Sequence, residues 1–154
     1  MYSKSWSVDV EMVQFVGYRT TGTFEDFYHS LKVTLLFELG SGKILEADAT
    51  IIRVPFKECE LGISSITKLI GLEINSLKGV SKKVFELLAG TAGCTHLAEL
   101  VIESIKARVQ AFGQERPDWV PEDILDKRLK EYENKFANTC IHYTSPYWKP
   151  YEEI

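Results

Sequence analysis

Three features of this sequence predict an α+β fold, a small antiparallel sheet of about three strands with helices packed on one face. Apolar and polar residues alternate through much of the first third of the chain. From residue 61 onward the apolar residues recur at helical spacing instead, and Pro55 stands at the changeover. Strands followed by segregated helices bury their faces most simply as helices laid on one side of a sheet.

The first strand is residues 6–12, where Trp6, Val8, Val10 and Met12 alternate with polar residues as a half-buried strand requires. Residues 17–22, with Gly17, Gly22, Arg19 and two threonines, read as an interruption. A second run follows in which Leu31, Val33, Leu35, Phe37 and Leu39 share one parity with His29. Gly40-Ser41-Gly42 makes a hairpin loop, because glycine reaches the positive φ of tight turns, and residues 43–54 return as the third strand.

After Pro55, Leu61, Ile63, Ile66, Leu69 and Ile70 predict a short helix stopped by Gly71. Residues 80–88, closed by Gly90, form a second helix. Residues 94 to about 112 form a third, striped by Leu97, Leu100, Val101, Ile105 and Val109. A proline-bounded linker at 117–121 leads into a charged helix carrying Ile124, Leu125, Leu129, Tyr132 and Phe136. Residues 138–154, with Tyr143, Tyr147, Trp148 and Tyr151, read as an extended aromatic strap. The expected organisation is an α+β core domain over residues 1–113, with residues 114–154 as a helix and strap packing on it.

Composition narrows the function. The chain has 154 residues, 45% hydrophobic and 26% charged, with a formal net charge of -4, the profile of one compact domain. Its three cysteines and the lack of a basic-then-apolar leader predict a reducing, cytoplasmic setting without disulfides. No apolar run approaches the roughly 20 residues of a membrane-spanning helix, and mild acidity argues against nucleic acid as a partner. G-x-S-x-G, H-E-x-x-H, P-loop and G-x-G-x-x-G patterns are all missing.

Thiols and imidazoles therefore carry the remaining chemistry. Cys94 stands where the third helix begins, so the helix dipole favours its thiolate, although a cysteine beside an apolar stripe also serves as a small core residue. Cys59 lies in the loop leaving the third strand. A hairpin turning about Ser41 sets His29 opposite Arg53, at the sheet end from which Cys59 departs, so His29 and Cys59 become neighbours if Pro55 bends the chain. By default such a histidine is satisfied by a backbone carbonyl. His96 joins Cys94 only if Cys94 precedes the first regular turn, since two helical residues differ by about 200°. Cys140 and His142 have C-x-H spacing on the strap and point to one side merely by strand alternation. Glu46, Asp48 and Arg53 read as the exposed side of the sheet. His29, Cys59 and Cys94 together form a donor set of two thiolates and an imidazole suited to zinc or an iron-sulfur cluster, with His96 or Cys140 as the candidate fourth donor.

Two resemblances fall on the same residues. Residues 27–110 are similar to a bacterial family known only as a domain of unknown function. The likeness rests on Leu69-Ile70-Gly71-Leu72, on Gly93-Cys94-Thr95-His96-Leu97 and on Glu99-Leu100, and the Gly-Cys-Thr-His-Leu run is the family's hallmark. More distantly, the order of elements resembles the iron-sulfur assembly scaffolds of the IscU/NifU type and the SufE sulfur acceptors. That resemblance implies a SufE/NifU-like fold with His29, Cys59 and Cys94 at the positions of the three scaffold cysteines, Cys94 preceding Leu97-Ala98-Glu99 as the third one does. Leu31, Glu58-Cys59-Glu60 and Gly93 depart from the scaffold pattern, and its Leu-Pro-Pro-Val-Lys chaperone motif is missing.

Three functions are expected from these residues. The first is a metal or iron-sulfur binding scaffold-like domain. The second is a thiol-dependent sulfur acceptor or enzyme using Cys94 or Cys59 with His29 as base. The third is an interaction module without chemistry, whose aromatic end serves a protein partner or a homo-oligomer.

Overall fold

The computed structural model describes residues 1–111 and 118–144. The chain divides into two compact units, Met1–Ala111 and Phe112–Ile154. The predicted boundary between residues 113 and 114 falls outside the described residues. Among the described residues no helix is long and apolar enough to cross a membrane.

The first unit is α+β. Its antiparallel sheet has four strands, not three: β1 (Lys4–Val13), β2 (Gly17–Asp26), β3 (Ser30–Glu38) and β4 (Ile44–Arg53), in sequence order as a meander. The extra strand is the stretch expected to interrupt the sheet. In β2, Tyr18, Thr20, Gly22, Phe24 and Asp26 are buried and alternate with more exposed residues. This period-2 pattern is carried partly by threonine and glycine and so is invisible to an apolar count. Gly22 marks a close approach rather than a break: a Cβ there would lie 2.7 Å from Ser104 Oγ and 3.0 Å from Leu100 Cδ1.

The β3–β4 hairpin turns through Gly40 and Gly42, both at positive φ as expected. Register shifts between Ser30 and Leu31 and between Leu36 and Phe37 put Ser30, rather than His29, opposite Arg53. His29 stands in the turn ahead of β3.

Beyond Pro55 the predicted single helix is α1 (Cys59–Gly62) followed by a 3₁₀ segment, Ile63–Leu69. Ile63, Ile66 and Leu69 recur every three residues, the period that aligns side chains on a 3₁₀ helix, and Ile66 and Leu69 are buried. Leu61 and Ile70, which an α-helical stripe would bury, are exposed. Then come α2 (Val80–Leu88) and α3 (Thr95–Ala111). Leu97, Leu100, Val101 and Ile105 of α3 and Val84 and Leu88 of α2 close on Phe24, Val33, Leu35 and Phe37 of the sheet. Val109 stays half-buried, outside this core.

The second unit carries α4 (Glu122–Lys135) and a short helix, α5 (Ile141–Thr144). Along α4, Ile124 is exposed while Leu125, Leu129 and Phe136 are half-buried. Phe136 packs on the Tyr143 ring at 5.7 Å between centroids. The strap expected to be extended from residue 138 is helical at 141–144 instead. Thr144 N–H bonds back to Cys140 O, so Cys140 and His142 do not alternate as strand residues. The Tyr132 side chain, the linker residue Pro117 and the aromatic residues Tyr147, Trp148 and Tyr151 lie outside the described residues.

The packing at Gly22 yields a test. Gly22→Ala forces a methyl against Ser104 and Leu100 and should lower stability by about 1–3 kcal/mol in denaturant unfolding. Adding Ser104→Ala removes the nearer atom and should recover part of that loss. Equal effects of Gly22→Ala in both backgrounds would contradict the close approach.

Candidate functional site

The site grows from the three-residue connection between β2 and β3. Asp26 ends β2, and its Oδ1 accepts the backbone N–H of Tyr28 at 2.7 Å and that of His29 at 2.6 Å. This is the local side-chain-to-backbone closure that aspartate offers a tight turn. The Asp26 N–H completes the turn by donating to His29 O at 2.9 Å. Because the turn is closed on its own side chain, the His29 ring is set against the same carboxylate, with Nδ1 3.0 Å from Oδ1 and 3.1 Å from Oδ2. The Tyr2 hydroxyl donates to Oδ2 at 2.9 Å. From the far edge of the sheet, Arg53 Nη2 donates to Asp26 O at 2.8 Å and to Glu25 Oε2 at 3.1 Å. Arg53 therefore clamps the turn and is more than an exposed strand residue.

The Asp26 side chain is only 2% exposed. Burial pushes its carboxyl pKa up, but the His29 N–H, the Tyr2 hydroxyl, the His29 ring and the Tyr28 N–H together outweigh it and hold the group well below the usual carboxylate range. Asp26 is a fixed, buried anion. Its hydrogen bond, with burial and the Asp26 and Glu99 charges behind it, raises the Tyr2 phenol.

The second half of the site comes from α3. Gly93 can stand before this helix because it has no Cβ: an added one would lie 1.9 Å from Leu88 O. Gly62 of α1 packs on the same place, where its own Cβ would meet Gly93 O at 2.7 Å and Cys94 Cβ at 3.4 Å. Cys94 N–H donates to Leu88 O at 2.7 Å, and Cys94 O accepts from Ala98 N–H, so Cys94 precedes the first regular turn. That turn presents His96. Its ring stacks on the fully buried Phe24 at 5.0 Å and 16°. The His29 ring lies 4.2 Å away, centroid to centroid. His96 Nδ1 and Glu99 Oε2 are buried atoms without a hydrogen-bond partner, facing each other at 3.5 Å.

All four residues singled out from the sequence, His29, Cys59, Cys94 and His96, line one pocket of about 200 Å³, together with Leu31, Ile51, Val54, Ile63, Thr95 and Leu97. At this end of the sheet the donors sort into two sets, with Asp26 standing behind the pocket wall. Ligand atoms of Asp26, His29 and His96 lie within 4.8 Å of one another; neither thiol belongs to that group. Cys59 and Cys94 are half-buried free thiols on the wall, and Cys140 is an exposed free thiol of the second unit. Asp26 is the site residue that sequence reasoning missed. Its signal was an aspartate three residues before a histidine, the spacing of a self-closed turn, hidden because β2 was not recognised.

Chemically, the arrangement offers two imidazoles, each with a carboxylate at its Nδ1: Asp26 for His29 and Glu99 for His96. The Asp26 carboxylate on Nδ1 of His29 fixes the tautomer that leaves Nε2 with its lone pair, as metal-binding histidines require, whereas Glu99 sets a carboxylate beside His96 without a hydrogen bond.

The family described as "Protein of unknown function (DUF2889)" matches residues 4–110. No curated protein and no solved structure matches the chain.

The buried anion at Asp26 predicts acid sensitivity. A carboxyl whose folded pKa lies below its unfolded value adds stability that is present above the unfolded pKa and lost as pH falls through and below it. Between about pH 5 and about pH 3 the parent should therefore lose stability more steeply than Asp26→Asn, which has no such group to titrate. Parallel pH profiles in thermal unfolding would contradict this.

Proposed function

The chain belongs to the DUF2889 family, whose description names no activity, and we propose from the pocket that it is a metal-binding domain holding one divalent transition-metal ion, zinc by its donor chemistry, on His29 and His96. The observation that carries this reading is the pairing of two imidazoles, 4.2 Å between ring centroids, with His29 hydrogen-bonded through Nδ1 to Asp26 and the Glu99 carboxylate 3.5 Å from Nδ1 of His96. A carboxylate hydrogen-bonded to one ring nitrogen, as Asp26 is to His29, is what metal ligands use to fix tautomer and ring direction. Imidazole nitrogen suits zinc and the other later divalent metals and discriminates against magnesium and calcium.

Asp26 acts behind His29 rather than on the ion, because its two oxygens already receive the Tyr28 and His29 N–H groups, the Tyr2 hydroxyl and the ring. Cys59 and Cys94 stand outside the imidazole group, which favours a mononuclear ion over an iron-sulfur cluster held by thiolates.

Metal analysis with a competing chromophoric chelator tests the reading. The parent should carry roughly one equivalent of zinc, and its removal should lower the melting temperature by several degrees, about 5 °C. His29→Ala and His96→Ala should each weaken zinc more than about 100-fold, and Glu99→Gln about 10-fold or more. The Cys59→Ser/Cys94→Ser variant should keep its metal. Metal loss in that variant would restore the thiolate-ligand reading. Metal-free parent protein with one fast-alkylating thiol in the pocket would favour the sulfur-acceptor reading, with His29, oriented by Asp26, as the base.

A further inference from the structure

The walls of the pocket say what the ion would meet. Away from the two histidines they are mostly aliphatic, with Leu31, Ile51 and Val54 from the sheet side, Ile63 from the 3₁₀ segment and Leu97 from α3, and the Cys59 and Cys94 thiols and Thr95 complete the lining. No Lys, Arg, Asp or Glu is among the lining residues. The cavity of about 200 Å³ is larger than a bare ion and its waters need, since one water occupies about 30 Å³ of the liquid. His29 and His96 keep 16% and 31% of their side chains exposed, so the polar end communicates with solvent.

We infer that this pocket takes a small monocarboxylate with a short branched aliphatic tail, its head on the ion at the two histidines and its tail among Leu31, Ile51, Val54 and Ile63. The inference rests on the metal reading above. Two histidines would leave positions of a tetrahedral ion open, and both histidines line the cavity, so a ligand there can reach the ion. A carboxylate head belongs on the ion and nowhere else in this pocket, because the ion can take its oxygen as a ligand and offset its charge, while the lining has no lysine or arginine to do so. The same head faces the first turn of the 17-residue α3, where Thr95, His96 and Leu97 line the pocket and the leading N–H groups have no partner inside the helix. The tail gains by leaving water for aliphatic walls, at a rate that grows with each carbon buried. A long acyl chain does not fit the volume, and a polar tail would meet no hydrogen-bonding side chain on the sheet-side walls.

Cobalt-substituted protein, full chain, provides the test, because the visible spectrum of Co²⁺ reports a change in its ligands. Isovalerate should perturb the spectrum saturably, with a dissociation constant about tenfold or more below that of acetate, which carries the head without the tail. Isovaleramide, the neutral isostere, should bind about tenfold or more weakly than isovalerate. Val54→Phe should keep the cobalt and the acetate response while losing the preference for isovalerate; if it does not fold, the three-ligand comparison decides alone. Equal affinity for acetate and isovalerate, or for isovalerate and its amide, overturns the inference, as does a cobalt-loaded protein whose spectrum ignores all three. None of these results touches the metal reading. A protein that takes up no cobalt overturns the metal reading, and this inference with it.

Discussion

One buried carboxylate organises the end of the sheet on which the candidate site is built. Asp26 closes the β2–β3 connection on its own side chain, and in doing so fixes both the backbone of Tyr28 and His29 and the orientation of the His29 ring. Charge buried this deeply is expensive unless donors surround it. Here two backbone N–H groups, a phenol and an imidazole supply them, and the Arg53 guanidinium holds the outer side of the same turn. The turn is thus rigid for reasons of its own, before any ligand arrives.

Close backbone packing brings the other half of the site to this turn. At Gly22 the absence of a side chain lets α3 lie directly on β2, with Leu100 and Ser104 over the strand. At Gly93 the chain passes so close to Leu88 O that only glycine fits, which sets where α3 begins and therefore where Cys94 and His96 stand. Phe24 serves both parts, as a fully buried member of the core and as the surface on which the His96 ring stacks. The geometry of the imidazole pair is in this sense a product of core packing, and a change at Gly22 should be felt at the site.

Much of this was legible in the sequence, and the exceptions have physical causes. The parity of Leu31, Val33, Leu35 and Phe37 and the stripe from Leu97 to Ile105 gave β3 and α3, because large apolar residues report burial directly. β2 was hidden because its buried face includes Thr20, Gly22 and Asp26, residues whose burial depends on a helix passing close and on a self-closed turn. Losing that strand also lost Asp26. Ile63, Ile66 and Leu69 were recognised as buried-type residues but given an α-helical period, since a spacing of three is common to both helices over so short a stretch. The four site residues could be grouped because they fall at the ends of elements that meet at one edge. How the imidazoles separate from the thiols could not be, because it depends on side-chain directions set by the turn and by Phe24.

The central claim is that an ion in this pocket is held by nitrogen, with sulfur near it but off the metal. X-ray absorption at the zinc edge of the loaded protein tests that most directly. The account predicts a first shell of light atoms at about 2.0–2.1 Å with the outer scattering of two imidazoles. A sulfur shell at about 2.3 Å would contradict it and make Cys59 or Cys94 a ligand.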